Sequence, residues 1–106
     1  MSTAIIIVGF GGHAMSVTNV ALSCGMSVVA YVDDNNAGNK VLGIPVITKQ
    51  QCIDTSKTSN FAIAIGDNSV RECVYNEYKS ELPNCKFPPL IHPSAVIGIN
   101  SNLYSL

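Results

Sequence analysis

The segment from Ala4 to Ala14 constrains the fold of this chain more than any other. Residues 4–8 are an uninterrupted apolar run rich in β-branched side chains, and a turn of sequence GFGGH, here called the glycine turn (Gly9–His13), follows at once. Such a run is typical of a strand buried on both faces. Apolar residues then recur at helical spacing as far as Gly25, a residue type that commonly ends helices. The segment therefore predicts a strand, a tight turn and a helix.

Three further apolar runs predict more strands. Residues 28–32 and 61–65 are continuous enough to be buried strands. Residues 43–47 predict a short edge strand, because Pro45 has no N–H to donate to a central ladder. The other expected segments are a polar surface loop at residues 35–40 and a final extended piece at residues 87–91.

Two more helices are expected between these strands. Thr48 is a suitable cap for a brief helix through Ile53, and Asp67 or Asn68 for a longer one. The buried face of the longer helix is predicted to carry Val70, Cys73, Val74 and Tyr78. Strands that alternate with helices in this way predict an α/β fold, a small parallel sheet with flanking helices. Ligands of such sheets bind beyond the carboxyl ends of the strands.

Composition excludes several classes of protein. The 106 residues are 47% hydrophobic, which predicts one packed domain rather than a disordered chain. The net charge is −1 and the six basic residues form no cluster, so no nucleic-acid partner is expected. No apolar run approaches the ~20 residues of a membrane span. The four cysteines form no C-x-x-C pair, which predicts no metal site and a cytoplasmic chain with reduced thiols, Cys24 and Cys73 lying in the core.

The glycine turn fits the dinucleotide pattern G-x-G-x-x-G/A through Gly9, Gly11 and Ala14. Glycines at such positions make the tight turn and let backbone N–H groups approach a phosphate at the helix N-terminus. Asp33 and Asp34 follow Gly12 by 21 and 22 residues, where a dinucleotide fold keeps its ribose-binding acid. The alternatives are a tight turn without a ligand and a solvated pair of aspartates.

A second candidate loop follows residues 61–65. It contains Gly66, Asn68 and Arg71, of which the asparagine can hydrogen-bond a ligand and the arginine can reach a phosphate. His13, in the first turn of its helix, can donate to a phosphate or sugar oxygen. A helix cap with a surface arginine, and a surface histidine, are the alternatives.

The last residues show a different period. Ile91, Ile97 and Leu103 lie six residues apart, and Gly98 follows Ile97. A six-residue repeat of this kind is the mark of a left-handed parallel β-helix. The sequence therefore predicts two domains, residues 1–90 and the start of a truncated hexapeptide-repeat β-helix at residues 91–106.

Taken together, these segments resemble the amino-terminal domain of the bacterial sugar O-acyltransferases of the sialic acid O-acetyltransferase type, a family that includes the UDP-4-amino-sugar N-acetyltransferases. The resemblance covers nearly the whole chain. It is carried by residues 6–14 (IIVGFGGHA), 32–34 (VDD), 43–46 (GIPV), 64–68 (AIGDN) with Arg71, and 91–95 (IHPSA).

The resemblance implies a Rossmann-like domain that binds a nucleotide-activated sugar, usually UDP-linked, for an acetyl-CoA-dependent sugar O- or N-acetyltransferase. Acetyl-CoA would bind outside this chain, in the clefts of a β-helix homotrimer that also supplies the catalytic histidine. The implied substrate-binding residues are Gly11, Gly12, His13, Asp33, Asp34, Gly66, Asn68 and Arg71. UDP-sugar-binding members often carry a lysine after the aspartate pair, where this chain has Asn35.

Two other functions fit parts of the sequence. The pattern of Gly9, Gly11 and Ala14 also suits a module that binds NAD or an adenine nucleotide, with a redox or regulatory role. A domain that serves only for packing or oligomerisation needs no ligand at all. Gly12, His13 and the six-residue period favour the sugar-nucleotide interpretation over both.

Overall fold

The computed structural model describes residues 3–55 and 60–90, which form a five-stranded sheet with helices on both faces. The strands are β1 (Thr3–Val8), β2 (Met26–Val32), β3 (Lys40–Val41), β4 (Ile44–Ile47) and β5 (Phe61–Ile63). The helices are α1 (Ala14–Ser23), α2 (Lys49–Thr55) and α3 (Asn68–Glu81), and a 3₁₀ turn spans Asp34–Asn36. The predicted α/β fold is confirmed.

The order of the strands places a crevice at β1. The sheet runs β3-β4-β2-β1-β5, and β1 pairs in parallel with both β2 and β5. The strands β2, β4 and β3 thus lie on one side of β1, and β5, the last strand in the chain order, lies on the other side. In open α/β sheets this reversal is the topological switch point, beyond which ligands bind. The space between the loops that follow β1 and β5, here called the switch crevice, is therefore the first place to look for a site.

Alternate side chains along the strands pack into two separate hydrophobic cores, one on each face of the sheet. Ile5 and Ile7 face α1, whereas Ile6 and Val8 face the side of α2 and α3. On β2 a register shift opposite β1 skips Val29, which is 42% exposed, and the alternation resumes with the opposite parity. One extra residue in a strand exchanges its faces, so Ala30 and Val32 face the side of α2 and α3 and Tyr31 faces α1.

The strand at residues 44–47 is not at the edge of the sheet, contrary to the prediction from Pro45. The two-residue strand β3 pairs with it in antiparallel fashion on its outer side. The ladder to β2 begins only at Val46, one residue after Pro45, so the missing N–H interrupts no bond there. Proline is tolerated near the start of an inner strand for this reason.

The core prediction for the cysteines was wrong. Cys24 and Cys73 are exposed, and the buried thiols are those of Cys52 and Cys85. Cys24 caps the end of α1, beyond its last buried turn. Val70, also predicted to be buried, lies in the first turn of α3 and is 48% exposed.

The remaining boundaries agree with the sequence prediction to within a few residues. Gly25, at φ 80°, follows the cap of α1, and Asp67 caps α3 by accepting a hydrogen bond from Val70 N–H. The polar segment 35–40 contains part of the 3₁₀ turn and the start of β3. The predicted β-helix start, residues 91–106, lies outside the described residues, so the division of the chain at residue 90 stays a prediction. Among residues 3–55 and 60–90, no helix has the length and apolar character that a membrane crossing requires.

Candidate functional site

The glycines of the glycine turn differ in whether the packing requires them. Gly9 has φ 107°, and a Cβ added to it would lie 2.9 Å from the carbonyl oxygen of Ala64. The close approach of β1 to the chain after β5 therefore requires glycine there. A Cβ on Gly11 or Gly12 would meet no described atom within 4 Å, and neither residue has a positive φ. Nothing in the described packing requires the second pair to be glycine.

The N-terminus of α1 is open behind these glycines. His13 is the N-cap residue, yet its side chain makes no capping hydrogen bond to a described residue. Gly11, Gly12 and His13 are all exposed. Backbone N–H groups at a helix N-terminus carry a partial positive charge and bind anions, phosphates in particular. Ala14 is only 1% exposed, which lets the helix pack closely on the sheet as the fingerprint requires.

The imidazole of His13 lies directly on Gly66. A Cβ on Gly66 would lie 2.5 Å from Nε2 of His13, closer than a Cβ atom approaches a non-bonded neighbour. The two loops that border the switch crevice therefore touch through this ring and this glycine. Both residues were predicted from the sequence as site residues, and the structure brings them into contact at the switch crevice.

Asp33 ties the end of β2 to the glycine turn. Its Oδ2 accepts a hydrogen bond from Phe10 N–H at 3.1 Å, and its Oδ1 accepts one from Asn35 N–H at 3.0 Å. The ring of Phe10 in turn packs on Tyr31, with centroids 5.1 Å apart. Both carboxylate oxygens of Asp33 thus hold backbone groups. The residue fixes the shape of the glycine turn, whichever further contact its remaining lone pairs make.

Asp34 reaches the opposite way, towards α2. Its Oδ1 accepts a hydrogen bond from Lys49 N–H at 2.9 Å, at the start of that helix. Thr48 and Gln51 close the same helix end as a capping box: Gln51 N–H donates to the threonine Oγ1, and Thr48 N–H donates to the glutamine Oε1. Asp34 is therefore part of the framework between β2 and α2.

Asn68 and Arg71 lie in the first turn of α3, next to Gly66. The guanidinium of Arg71 donates to Oδ1 of Asn68, and Arg71 N–H donates to the carbonyl of Asp67. The pair is exposed enough to meet a ligand, with the arginine side chain already held in one position. The structure thus arranges the predicted residues as a glycine turn with Gly66, an acidic turn, and a polar pair on α3.

A cleft of about 220 Å³ adjoins the switch crevice on the side of α2 and α3. Apolar side chains of β1, β2, α3 and the loop after β5 line its interior, and three acidic residues and one lysine line it as well. The lining residues are Val8, Gly9, Val32, Asp33, Asp34, Lys49, Ile65, Val74, Glu77 and Tyr78. This space is here called the α2/α3 cleft.

Sequence reasoning missed three residues of the α2/α3 cleft. Tyr78 was assigned to the core, correctly, but its hydroxyl is buried without a hydrogen-bond partner among the described residues. Burial raises the pKa of this phenol, and the nearby Cys52 and Glu77 raise it further, so the hydroxyl stays protonated. Lys49 and Glu77 carried no signal, since the contacts that bring them to the cleft join distant parts of the chain.

Lys49 joins α2 to α3 through two ion pairs. Its Nζ lies 3.1 Å from Oε1 of Glu77 and 3.1 Å from Oε2 of Glu81. Partial desolvation lowers the pKa of the lysine, but the hydrogen bonds and charges of the two glutamates outweigh it and raise the pKa overall. The lysine is therefore cationic at neutral pH and already neutralised by its partners. Among the described residues, no three His, Cys, Asp or Glu side chains cluster in a way that would hold a metal ion.

The sheet order, the glycine turn and the open N-terminus of α1 define a Rossmann-like α/β domain with a crevice at its switch point, where folds of this class bind ligands. Residues 4–78 match the model of the PglD N-terminal domain family. The chain belongs to this family, which confirms the resemblance found in the sequence.

Solved structures similar to this chain include those of acetyltransferases. A mutant of perosamine N-acetyltransferase from Caulobacter crescentus, in complex with CoA and GDP-perosamine, is 32% identical with a TM-score of 0.76 over 90% of this chain. The acetyltransferase domain of PglB from Neisseria gonorrhoeae FA1090, in complex with acetyl coenzyme A, is 28% identical with a TM-score of 0.69 over 88% of this chain.

A curated relative is the uncharacterized protein L142 of Acanthamoeba polyphaga mimivirus, 30% identical over 100 residues and 92% of this chain. The chain spans 20% of that protein and 45% of each of the two solved structures. It therefore corresponds to one part of longer proteins.

Proposed function

We propose that this chain binds a nucleotide-activated sugar in the switch crevice and serves as the acceptor-binding domain of an acetyl-CoA-dependent sugar acetyltransferase. Membership of the PglD N-terminal domain family supports this proposal. So does the similarity to a perosamine N-acetyltransferase in complex with CoA and GDP-perosamine. A module for NAD or an adenine nucleotide is the competing function, since the same glycine pattern suits it.

The observation that carries the proposal is the space around Gly11 and Gly12. Packing among the described residues does not require either glycine, and both are exposed beside an uncapped helix N-terminus. Glycines without an internal reason at such a place are explained by a phosphate that the backbone N–H groups approach closely. His13 and Arg71 would add donors on the two sides of the crevice, and Gly66 lets the imidazole of His13 lie at its edge.

The domain would contribute orientation rather than chemistry. In the parent protein, a histidine of the β-helix would take a proton from the sugar's amine or hydroxyl. The nitrogen or oxygen would then attack the thioester carbonyl of acetyl-CoA, and CoA would leave as the thiol. Holding the acceptor in place makes this attack effectively intramolecular. Acetyl-CoA would bind outside the chain, in a homotrimer of the parent, and the chain alone would bind its ligand without turnover.

The base of the nucleotide is a separate matter from the diphosphate. The resemblance in the sequence implies a UDP-linked sugar, whereas the similar acetyltransferase of known structure is in complex with a GDP-linked one. The glycine turn and the N-terminus of α1 would bind the diphosphate of either. A cytoplasmic location, where such activated sugars are made, stays a prediction.

Isothermal titration calorimetry of the whole chain tests the proposal. GDP-perosamine, a UDP-linked amino sugar and NAD are titrated in turn. A Gly11→Val variant places a side chain where the phosphate would approach, and Cys24→Val at the far end of α1 is the matched control. We expect saturable heats with a nucleotide sugar, lost in Gly11→Val and kept in Cys24→Val, with both variants folded by circular dichroism.

Two results would contradict the proposal. Tight binding of NAD with no response to either nucleotide sugar would favour the dinucleotide module. Binding that survives in Gly11→Val would remove the glycine turn from the site and favour a packing or oligomerisation role.

A further inference from the structure

The charges of this chain are distributed unevenly between the two faces of the sheet. Residues 1–32 contain no Asp, Glu, Lys or Arg. Helix α1 therefore has no charged residue, whereas α3, on the opposite face of the sheet, has five in its 14 residues. About a quarter of the residues of soluble domains are charged, and the exposed side of a surface helix normally carries many of them. The outer side of α1 thus differs from that of a helix that faces only water.

An apolar stripe runs along this outer side of α1. Met15 and Leu22 are 45% and 56% exposed, and the exposed Asn19 lies between them. The spacing i, i+4, i+7 places the three side chains on one line of the helix surface. A single exposed leucine needs no explanation, but an apolar stripe together with a depletion of charge is typical of the core of a protein interface.

Two hydroxyl donors of α1 are satisfied within the helix itself. Oγ1 of Thr18 donates to the carbonyl oxygen of Ala14 at 2.7 Å, and Oγ of Ser23 donates to that of Asn19 at 2.9 Å. Bonds of this kind to the preceding turn replace hydrogen bonds to water. A partner can therefore cover this side of α1 without leaving either donor unpaired.

The sheet beside α1 is only partly covered. Val41 and Ile44 of the β3–β4 hairpin pack on the core under α1 but remain half-buried. Between them, Leu42 is 97% exposed at φ 50°, a backbone conformation that is uncommon for leucine. Among the described residues, α1 is the one helix that contributes to this core, whereas α2 and α3 both contribute to the other. The outer side of α1 and residues 41–44 are here called the neutral face.

We infer that the neutral face is a docking surface for a second copy of this chain, with the two α1 helices packed antiparallel about a twofold axis. An uncharged surface offers no ion pair to an acidic or basic partner, and a partner that is uncharged itself loses no charge hydration there. The stripe is also self-complementary. A twofold axis beside Asn19 places Met15 of each copy against the partner's Leu22. The two Asn19 amides then meet at the centre, where each can donate to the other and accept from it.

The dimer is expected to be weak. A helix of ten residues is ~15 Å long and cannot by itself bury the ~800 Å² per partner of a standard interface, so the hairpin has to contribute. We therefore expect a dissociation constant in the micromolar range or above. The contact does not depend on which ligand the switch crevice binds, and it would be additional to the homotrimer proposed for the parent protein.

Sedimentation velocity of the whole chain, from micromolar to millimolar concentration, tests the inference. We expect the average mass to rise with concentration towards that of a dimer. Two asparagines provide a matched pair of variants. Asn19→Lys places like charges beside the twofold axis, whereas Asn76→Lys adds the same charge at an exposed position of α3. Self-association should be lost in the first variant and kept in the second.

An exchange of charges tests the antiparallel geometry. Met15→Glu and Leu22→Lys each place a charge opposite an apolar residue of the partner, so each alone should weaken association by about tenfold or more. When both are present, the new carboxylate of each copy faces the new ammonium group of the other, and association should recover relative to either single variant. Within one helix the two positions are seven residues apart, too far for an intrahelical ion pair.

The substituted side chains are exposed, so every variant should keep the circular dichroism spectrum and the unfolding midpoint that the unchanged chain has when monomeric. A chain that stays monomeric at every concentration would overturn the inference. A lower unfolding midpoint in Leu22→Lys would then show that another part of the same chain covers α1. A dimer that persists in Asn19→Lys, or that does not recover when the two charges are exchanged, would also overturn the inference, because α1 would not form the contact.

Discussion

The glycine turn (Gly9–His13) and the acidic turn (Asp33–Asp34) follow neighbouring parallel strands and lie side by side at the same edge of the sheet. The carboxylates of the acidic turn accept hydrogen bonds from backbone groups of the chain itself, the N–H groups of Phe10, Asn35 and Lys49. The glycine turn leaves its last three residues exposed and the N-terminus of α1 without a side-chain cap from the described residues. One turn holds the framework, and the other presents an open backbone.

This difference shows that a residue which matches a nucleotide-binding pattern can have either a structural role or a ligand-binding one. Asp33 and Gly12 both match what a nucleotide-binding fold displays in its sequence, but the first has a structural explanation inside the domain and the second has none. Substitutions in the acidic turn should therefore change the free energy of unfolding. Substitutions at the open glycines should change affinity. Gly9 is the exception within its own turn, because the chain after β5 approaches it closely.

The largest expected effect is that of Gly9→Ala. The new Cβ would lie 2.9 Å from the backbone oxygen of Ala64, at a φ of 107° that L-residues rarely adopt. Strain and overpacking together are expected to lower the free energy of unfolding by roughly 3 kcal/mol or more. Urea denaturation followed by circular dichroism measures the change. Gly12→Ala is the matched control and should change it by less than about 0.5 kcal/mol, since its Cβ meets open space.

The next effect is that of Asp33→Ala. It removes the acceptor of both Phe10 N–H and Asn35 N–H, and a charged acceptor contributes more than a neutral one. We expect the free energy of unfolding to fall by about 2 kcal/mol. The amide of Phe10 should also lose protection in hydrogen exchange, while amides in the middle of α3 keep theirs. An unchanged stability would place Asp33 with the ligand-facing residues and break the contrast between the turns.

Asp34→Ala should have a smaller effect than Asp33→Ala. It removes one hydrogen bond, to the N–H of Lys49 at the start of α2, and a negative charge near that helix N-terminus. The capping box of Thr48 and Gln51 remains, so we expect a loss of about 1 kcal/mol. The same urea titration measures it. A loss as large as that of Asp33→Ala would show that α2 depends on this aspartate more than its capping box allows.

A smaller effect on stability than that of Asp34→Ala is expected from Gly66→Ala. Its Cβ would displace only the far end of the His13 side chain, which can rotate into solvent, so the cost should stay under about 1 kcal/mol. The imidazole would nevertheless leave the edge of the switch crevice, and ligand affinity should fall. In a His13→Ala background the same substitution should change the affinity no further. Additive effects in this double-mutant cycle would show that the two residues do not act through their contact.

Most helices and strands could be predicted from local sequence patterns, and the errors concern features that depend on contacts between distant parts of the chain. Helix α1 was predicted from its period and Gly25, and α3 from Asp67. The two-residue strand β3 is too short to leave a periodic signal, so β4 was wrongly predicted to lie at the edge. Cys73 lies five residues before Tyr78 and Val74 lies four residues before it, so the face of α3 that packs on the sheet carries Val74 and leaves Cys73 exposed.

The sequence predicted which residues form the candidate site, but not the role of each of them. Parallel strand ends brought the glycine turn, the acidic turn and Gly66 to one edge, as the alternation of elements implied. The duty of Asp33 depends on a hydrogen bond to Phe10, 23 residues away, which no local pattern encodes. The position of Tyr78 beside the α2/α3 cleft could not be predicted either, because a tyrosine on an apolar helix face indicates a core residue whether or not its hydroxyl is hydrogen-bonded.

Nuclear magnetic resonance of the backbone amides, during titration of the whole chain with a GDP-linked sugar, tests the central claim most directly. The account predicts saturable shifts that are largest at Gly11, Gly12, His13 and Gly66, with smaller shifts at the exposed end of α1 near Cys24. Saturable binding whose largest shifts fall at that far end of α1, or spectra that do not change at all, would contradict the assignment of the switch crevice as the binding site.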